Sequence, residues 1–175
     1  AFEFLERKVS EDKIRMYGTA TWNGCRISPK SRGYLSLEKI MELAVRTGGR
    51  GHHLKAIQLP YNLGMPEAFV NQNQTWKNEA VSAIEFARRA GLLVFASASL
   101  LQGRLTVRLT DPVRRFFADC PTPAIRALQF VRSTPGVTTA LAGMKLPAHV
   151  SENLKVAAIS PLGVEAFMGL FSVDS

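Results

Sequence analysis

Gly91-Leu92-Leu93-Val94-Phe95-Ala96-Ser97 is the stretch on which the fold turns. A glycine closes the segment before it, and the run that follows is apolar until Ser97. A strand with one wet face alternates apolar and polar residues, whereas a near-continuous apolar run of this length suits a parallel strand covered on both faces. Parallel strands need crossovers, and helical patterns stand on either side. Upstream, Ala80, Val81, Ile84 and Ala87 share one face of a predicted helix whose polar face holds Glu85, Arg88 and Arg89. Downstream, a loop with Arg104, Arg108, Asp111 and Pro112 leads to a predicted helix opened by Pro123, with Ile125, Leu128 and Val131 inward and Pro135-Gly136 at its end.

The same alternation extends to both ends. Strands are predicted at residues 13–20, 55–61, 92–97 and 137–142. Ser36 reads as the N-cap of a helix through Leu37, Ile40, Met41 and Ala44 to Gly48-Gly49. A long polar loop is expected after the second strand. A last helix should start near Pro147 with Val150, Leu154 and Ala157 facing in, and the apolar tail from Pro161 (Phe167, Met168, Leu170, Phe171) should dock on the body. Four βα units repeating at about forty residues, after one orphan helix, make half of a (β/α)8 TIM barrel or a small doubly wound sheet. Gly18-Thr19-Ala20-Thr21-Trp22 is no Gly-rich phosphate fingerprint, which favours the barrel. The expected class is therefore α/β, the second half of an eightfold barrel, as a single domain over residues 1–175.

Composition bounds the function less tightly. A chain of 175 residues, 46% of them hydrophobic, can bury a core. Cys25 and Cys120 stand far apart and show neither a disulfide framework nor metal-ligand spacing. No apolar run approaches the ~20 residues of a membrane span, and no leader pattern opens the chain, so a cytoplasmic protein is expected. Ala1-Phe2-Glu3-Phe4-Leu5 begins without Met inside an amphipathic pattern (Phe2, Leu5, Val9), and a preceding segment is expected. The net charge of +8 admits nucleic acid or an anionic dinucleotide as partner. Its arginine pairs, Arg88-Arg89 and Arg114-Arg115, continue into no basic run and read as solvated surface, so nucleic acid is not expected.

The turn sequences are more specific. Lys13-Ile14-Arg15-Met16-Tyr17-Gly18 is similar to a "G-K-I-R-x-x-G" strand entry, and Ile57-Gln58-Leu59-Pro60-Tyr61-Asn62 to an "x-Q-x-x-Y-N" strand. Residues 96–105 are similar to "A-Y-S-P-L-x-x-G-x-L". Pro135-Gly136-Val137 through Ala142-Gly143, then His149-Val150-Ser151-Glu152-Asn153-Leu154, is similar to "PGV…G…HVEENL". In order and spacing these resemble the C-terminal half of aldo-keto reductases across almost the whole chain.

That resemblance implies a nicotinamide cofactor, NADP(H) rather than NAD, at the C-terminal mouth of the barrel. Barrel active sites lie there, and helix N-termini there suit phosphates. It implies that Gln58 holds the carboxamide and that Leu100 to Gly103, with Ser97, Ser99 and Gln102 in the same loop, wrap the pyrophosphate. Gly143 and Lys145 fall near the adenosine phosphate, Lys145 offering charge to a 2′-phosphate, and His149, Glu152 and Asn153 surround the adenine and ribose. Taken singly, each would pass for a solvated polar residue or a satisfied strand end; family spacing joins them.

The chain also departs from the pattern. The serine-asparagine pair after the fifth barrel strand is Ala20-Thr21 here, leaving only the Thr21 hydroxyl for the carboxamide. The aromatic that stacks on nicotinamide corresponds to Ser97, with Trp22 offered as cover from another loop and Tyr61 as a pocket residue. The resemblance assigns the catalytic Tyr, Lys, Asp and His to the first four strands, outside these residues, and none of Tyr17, Tyr34 or Tyr61 makes a substitute tetrad. His52-His53 precedes a strand, reading as a surface turn on the barrel floor, and Ser97 and Ser99 have no triad partners. The leading expectation is an NADP(H)-dependent oxidoreductase of aldehydes or ketones, completed by the other half-barrel or by a second copy of the chain. The alternative is a non-catalytic nucleotide-binding scaffold or regulatory subunit.

Overall fold

Apolar strands and amphipathic helices alternate through the structure, a computed structural model that describes residues 1–171. In chain order come α1 (Phe2–Ser10), β1 (Tyr17–Ala20), α2 (Leu37–Gly48), β2 (Leu54–Pro60), α3 (Glu67–Val70), β3 (Gln74–Trp76) and β4 (Glu79–Val81). They are followed by α4 (Ala83–Arg89), β5 (Leu93–Ser97), α5 (Asp111–Phe116), α6 (Pro123–Ser133), β6 (Thr139–Ala140), α7 (Pro147–Leu154) and α8 (Val164–Met168). A parallel sheet of four strands runs in the order β1-β2-β5-β6, and β3-β4 is a separate hairpin. The fold is therefore the expected α/β half-barrel. Among the described residues no helix is long and apolar enough to cross a membrane.

Two units divide the chain, one of Ala1–Pro60 with Glu67–Phe95 and one of Tyr61–Pro66 with the residues from Ala96 onward. In the first, β1 lies parallel to β2 with Ala20 opposite Gln58. A Cβ on Gly18 would lie 2.6 Å from the Ala56 carbonyl oxygen, so only glycine permits this approach. α1 and α2 close over Tyr17, Ala44 and Leu54 with Phe2, Leu5, Val9, Ile40 and Met41. Each fully buried aliphatic here, Leu37, Leu54, Ile57 and Leu59 among them, stabilises the unit by about 1.5–3 kcal/mol.

Glu6 of α1 fastens that layer. Its Oε1 accepts from the His53 backbone N–H (2.8 Å) and the Tyr17 hydroxyl (2.7 Å), and its Oε2 lies 2.7 Å from His53 Nδ1. Burial pushes the carboxyl up, but the His53 and Tyr17 hydrogen bonds outweigh it and hold the pKa down to about 2. The surface turn expected at His52-His53 is only half correct. His53 is part of this latch, and His52 is buried, its ring basicity lowered by desolvation first and by Lys55 second.

In the second unit α6 is the central element, with Ile125, Leu128 and Val131 buried as expected. Phe130 stacks on Tyr61 and touches Phe167, both at 5.5 Å between ring centroids. The apolar tail docks here. Gln129 Nε2 donates to the Ser160 carbonyl (2.6 Å), Arg132 Nη1 to the Val156 and Ile159 carbonyls, and the Leu162 N–H to Ser133 Oγ (3.0 Å).

Other boundaries shift for local reasons. β1 starts at Tyr17 rather than residue 13, because Asp12 takes φ 54° and the Lys13 N–H donates back to Lys8, finishing α1. The polar loop predicted after β2 contains α3 and the β3-β4 hairpin, which takes Ala80 and Val81 from the predicted helix. α4 starts instead at Ala83, its N-cap Ser82 accepting from the Glu85 N–H. β6 is short because the Val137 N–H is used in the turn that ends α6. α7 forms as predicted but faces the other way: Val150 and Leu154 are exposed and Asn153 is buried.

Candidate functional site

The loop after β5 has an uncommon backbone. Ala98, Leu101 and Gln102 sit at φ 54°, 46° and 53° and Gly103 at 86°, conformations that cost an L-residue energy and persist only where surroundings enforce them. Here Ser99 Oγ donates to the Ala96 carbonyl (3.0 Å), Asn62 Nδ2 to the Ala98 carbonyl (2.9 Å), and the Leu101 and Gly103 N–H groups to Ala98 and Leu100. The loop is thus held from inside and from the Asn62 turn.

Within the second unit this loop and α7 enclose a cleft of about 480 Å³. Of the predicted cofactor residues, Ser99, Leu100, Gln102, Gly103, Gly143, His149, Glu152 and Asn153 line it. Ala98, Thr106, Ala124, Leu141 and Ala142 line it as well and were not foreseen. Ala124 opens α6 just behind Pro123, and Leu141 is tied to β5 by its N–H on the Ala96 carbonyl (2.9 Å). A small residue at N2 after a proline was the one available signal. Asn153 is 6% exposed and lines the cleft.

The remaining predicted residues lie elsewhere. Thr21 and Gln58 meet in the first unit, where the Thr21 N–H donates to the Gln58 carbonyl (3.0 Å). The Thr21 hydroxyl is engaged locally, accepting from the Gly24 N–H (2.8 Å). Ser97 ends β5 half-buried, its carbonyl taken by the Tyr61 N–H, and Lys145 is an exposed residue ahead of α7; neither lines the cleft. Tyr61 is not a pocket residue in this structure. It is wholly buried against Phe130 and its hydroxyl accepts from Thr134 Oγ1 (3.0 Å). Trp22 is 52% exposed. Cys25 is buried and its thiol pushed up to about 11, which leaves no thiolate at neutral pH. No group of three or more His, Cys, Asp or Glu able to hold a metal occurs among the described residues.

No family model and no curated protein matches the chain. Solved structures do. An aldo-keto reductase from Klebsiella pneumoniae in complex with NADPH superposes with a TM-score of 0.66 at 23% identity, over 96% of this chain and 51% of that one. The chain has the fold of half an aldo-keto reductase barrel. An aldo/keto reductase from the same organism in complex with NADP and acetate matches at TM-score 0.65 and 25% identity, over 97% and 51%. An aldo-keto reductase from Bacillus halodurans matches this half-barrel at 0.60 and 17%, over 97% and 54%. The chain therefore spans about half the length of the aldo-keto reductases it matches.

Proposed function

We propose that this half-barrel supplies the dinucleotide side of an NADP(H)-dependent oxidoreductase of aldehydes or ketones in the cytoplasm, the other half-barrel supplying proton transfer. The observation that carries the reading is that Ser99, Leu100, Gln102, Gly103, Gly143, His149, Glu152 and Asn153 line one cleft walled by a preformed positive-φ loop. The residues fit such a group. Gly103 and Gly143 have nothing within 4 Å of where a Cβ would stand, leaving room for a bulky ligand. The cleft also includes His149 in the first turn of α7, near the positive end of that helix's dipole.

In this reading the Ser99–Gly103 loop wraps the pyrophosphate and Asn153 and Glu152 hold the adenosine. Lys145 offers charge to a 2′-phosphate, favouring NADP over NAD, and His149 stands with Asn153 and Glu152 around the adenosine. The nicotinamide, when bound, supplies or accepts the hydride. The residues of this chain bind and orient it, and Ser99 keeps its loop in shape by spending its hydroxyl on Ala96 rather than on chemistry.

NADPH fluorescence quenching in the full-length protein should saturate in the micromolar range. Asn153→Leu, close in volume, should weaken binding roughly 10-fold, the loss of one buried polar contact. Equal affinity in the variant, or no binding by the parent at high micromolar NADPH, would overturn the assignment.

β1 and β6 end the sheet order, so each presents a row of backbone groups to an incoming strand. Leu146 and Leu154 add exposed apolar surface beside β6, at 51% and 61%. Light scattering on residues 1–175 alone should therefore show dimers or larger species, and a monodisperse monomer would count against the half-barrel needing a partner.

A further inference from the structure

Half of the chain's net positive charge is concentrated in one stretch of the second unit. Residues 104–132 carry six arginines, two aspartates and no lysine or glutamate, a surplus of four against the chain's +8. The fold then draws four of those arginines together. Arg108 and Asp111 line an open hollow of about 560 Å³, and Asp111 also lines a second, of about 450 Å³, with Arg114, Arg115 and Arg126. Arg114 and Arg115 come from α5 and Arg126 from the start of α6, so the sequence alone does not show them as one group.

Among the described residues only Arg114 of the four pairs with a carboxylate, Asp111 at 3.3 Å. Both side chains are more than half exposed, at 57% and 70%, so that pair contributes little and gives way readily to a better one. Arg126 is half-buried and fixed: its Nε donates to the Phe117 carbonyl (3.2 Å), which leaves its terminal nitrogens for another acceptor. Guanidinium groups crowded in this way repel one another, and an anionic partner relieves the repulsion. Their planar forks take carboxylates two hydrogen bonds at a time, which lysines would not do. The hollows are open and joined at Asp111, so they suit a run of spaced anionic side chains more than one compact anion. Val107, 81% exposed next to Arg108, adds an apolar contact. Phe116 and Phe117 pack edge to face at 5.2 Å and Phe117 is buried, so these rings are used in packing rather than laid open for the stacking that single-stranded nucleic acid uses.

We propose that this arginine face docks an extended acidic segment of a partner protein, whose Asp or Glu side chains are taken by Arg108, Arg114, Arg115 and Arg126. Asp111 is the one unfavourable group in the two hollows, and Arg114 offsets it. The face shares no lining residue with the cleft described above, so it is a separate site and stands independently of the cofactor reading. Exposed charges attract at a distance and are screened by salt, so the contact forms fast and weakens steeply with ionic strength.

The test measures fluorescence anisotropy of a fluorescein-labelled peptide, Glu-Leu-Glu-Ser repeated three times, with the full-length protein. Binding should saturate in the micromolar range at about 20 mM NaCl and weaken at least about 10-fold at about 200 mM. Arg115→Glu should raise the peptide Kd about 10-fold and Arg115→Gln, which removes the charge without reversing it, about 3-fold. Arg32→Glu makes the same charge change on an exposed residue of the first unit and should shift the Kd less than about 2-fold. Absence of saturable binding at low salt overturns the proposal, as does a Kd unmoved by Arg115→Glu. Equal weakening by Arg32→Glu and Arg115→Glu would reduce the effect to net charge and overturn it too. Displacement of the peptide by micromolar inorganic pyrophosphate would make the face a small-anion site, and tighter binding of an oligothymidylate at the same salt would make it a nucleic-acid surface; either result defeats the acidic-segment assignment.

Discussion

Gln74→Leu is expected to lower the free energy of unfolding by roughly 3 kcal/mol, the largest single-residue loss outside the apolar core. The side chains are similar in size, so little cavity opens. What disappears is a buried amide serving three backbone groups. The Cys25 carbonyl keeps Asn73, but the Leu37 N–H and the Leu35 carbonyl lose their partner, and an unmet buried group costs about 1–3 kcal/mol. Because Leu37 opens α2, the loss also falls on that helix start. Urea unfolding should show a lower midpoint with an unchanged slope. A midpoint within error of the parent would mean that the hairpin does not hold the loop between β1 and α2.

Acid should unlatch α1. The Glu6 carboxyl is held down to about 2 from an ordinary value of 4.5, so its contribution is fully present above pH 4.5 and is lost as the pH falls from there toward 2. Its side chain is 16% exposed, and after allowance for solvent screening the contribution is on the order of 2 kcal/mol. Buried His52, whose ring is shifted down, acts in the same direction: its neutral form is the folded one, and stability falls as the pH drops below the ordinary histidine range. Thermal unfolding from pH 7 to pH 3 should show a steep loss in the parent. Glu6→Gln should be weaker at pH 7 and shallower below pH 4.5; parallel curves for the two proteins would remove Glu6 as the acid latch.

What sequence reading recovers here is local or periodic. The N-cap Ser36, the helix-opening Pro123, the buried face of α6 and the strand after Gly91 are each determined by a few neighbouring residues, and all stand where they were expected. The loop of residues 98–103 and several residues from Gly143 to Asn153 line one cleft, and their spacing had already grouped them. The failures are tertiary. Asn71-Gln72-Asn73-Gln74 looks like solvated loop, yet two of its amides are buried because loop backbone on the far side of α2's start needs donors. α7 shows an apolar pattern at Val150 and Leu154, and turning Asn153 inward contradicts that pattern for the sake of the cleft. Tyr61 reads as a mouth residue by its place after β2, but Phe130 and Thr134 supply an aromatic and a hydroxyl partner that only the folded chain brings near.

The bracing of residues 21–36 by side chains from residues 67–74, with Glu67 paired to Arg26 and the Asn73 and Gln74 amides donating to loop carbonyls, also bears on engineering. These two stretches form one transferable cassette separated by a helix and a strand, and grafting the first onto another scaffold without the second would strip its carbonyls of donors. Diversity libraries at this end of the molecule should therefore vary Trp22 and its exposed neighbours while leaving Arg26, Glu67, Asn73 and Gln74 untouched.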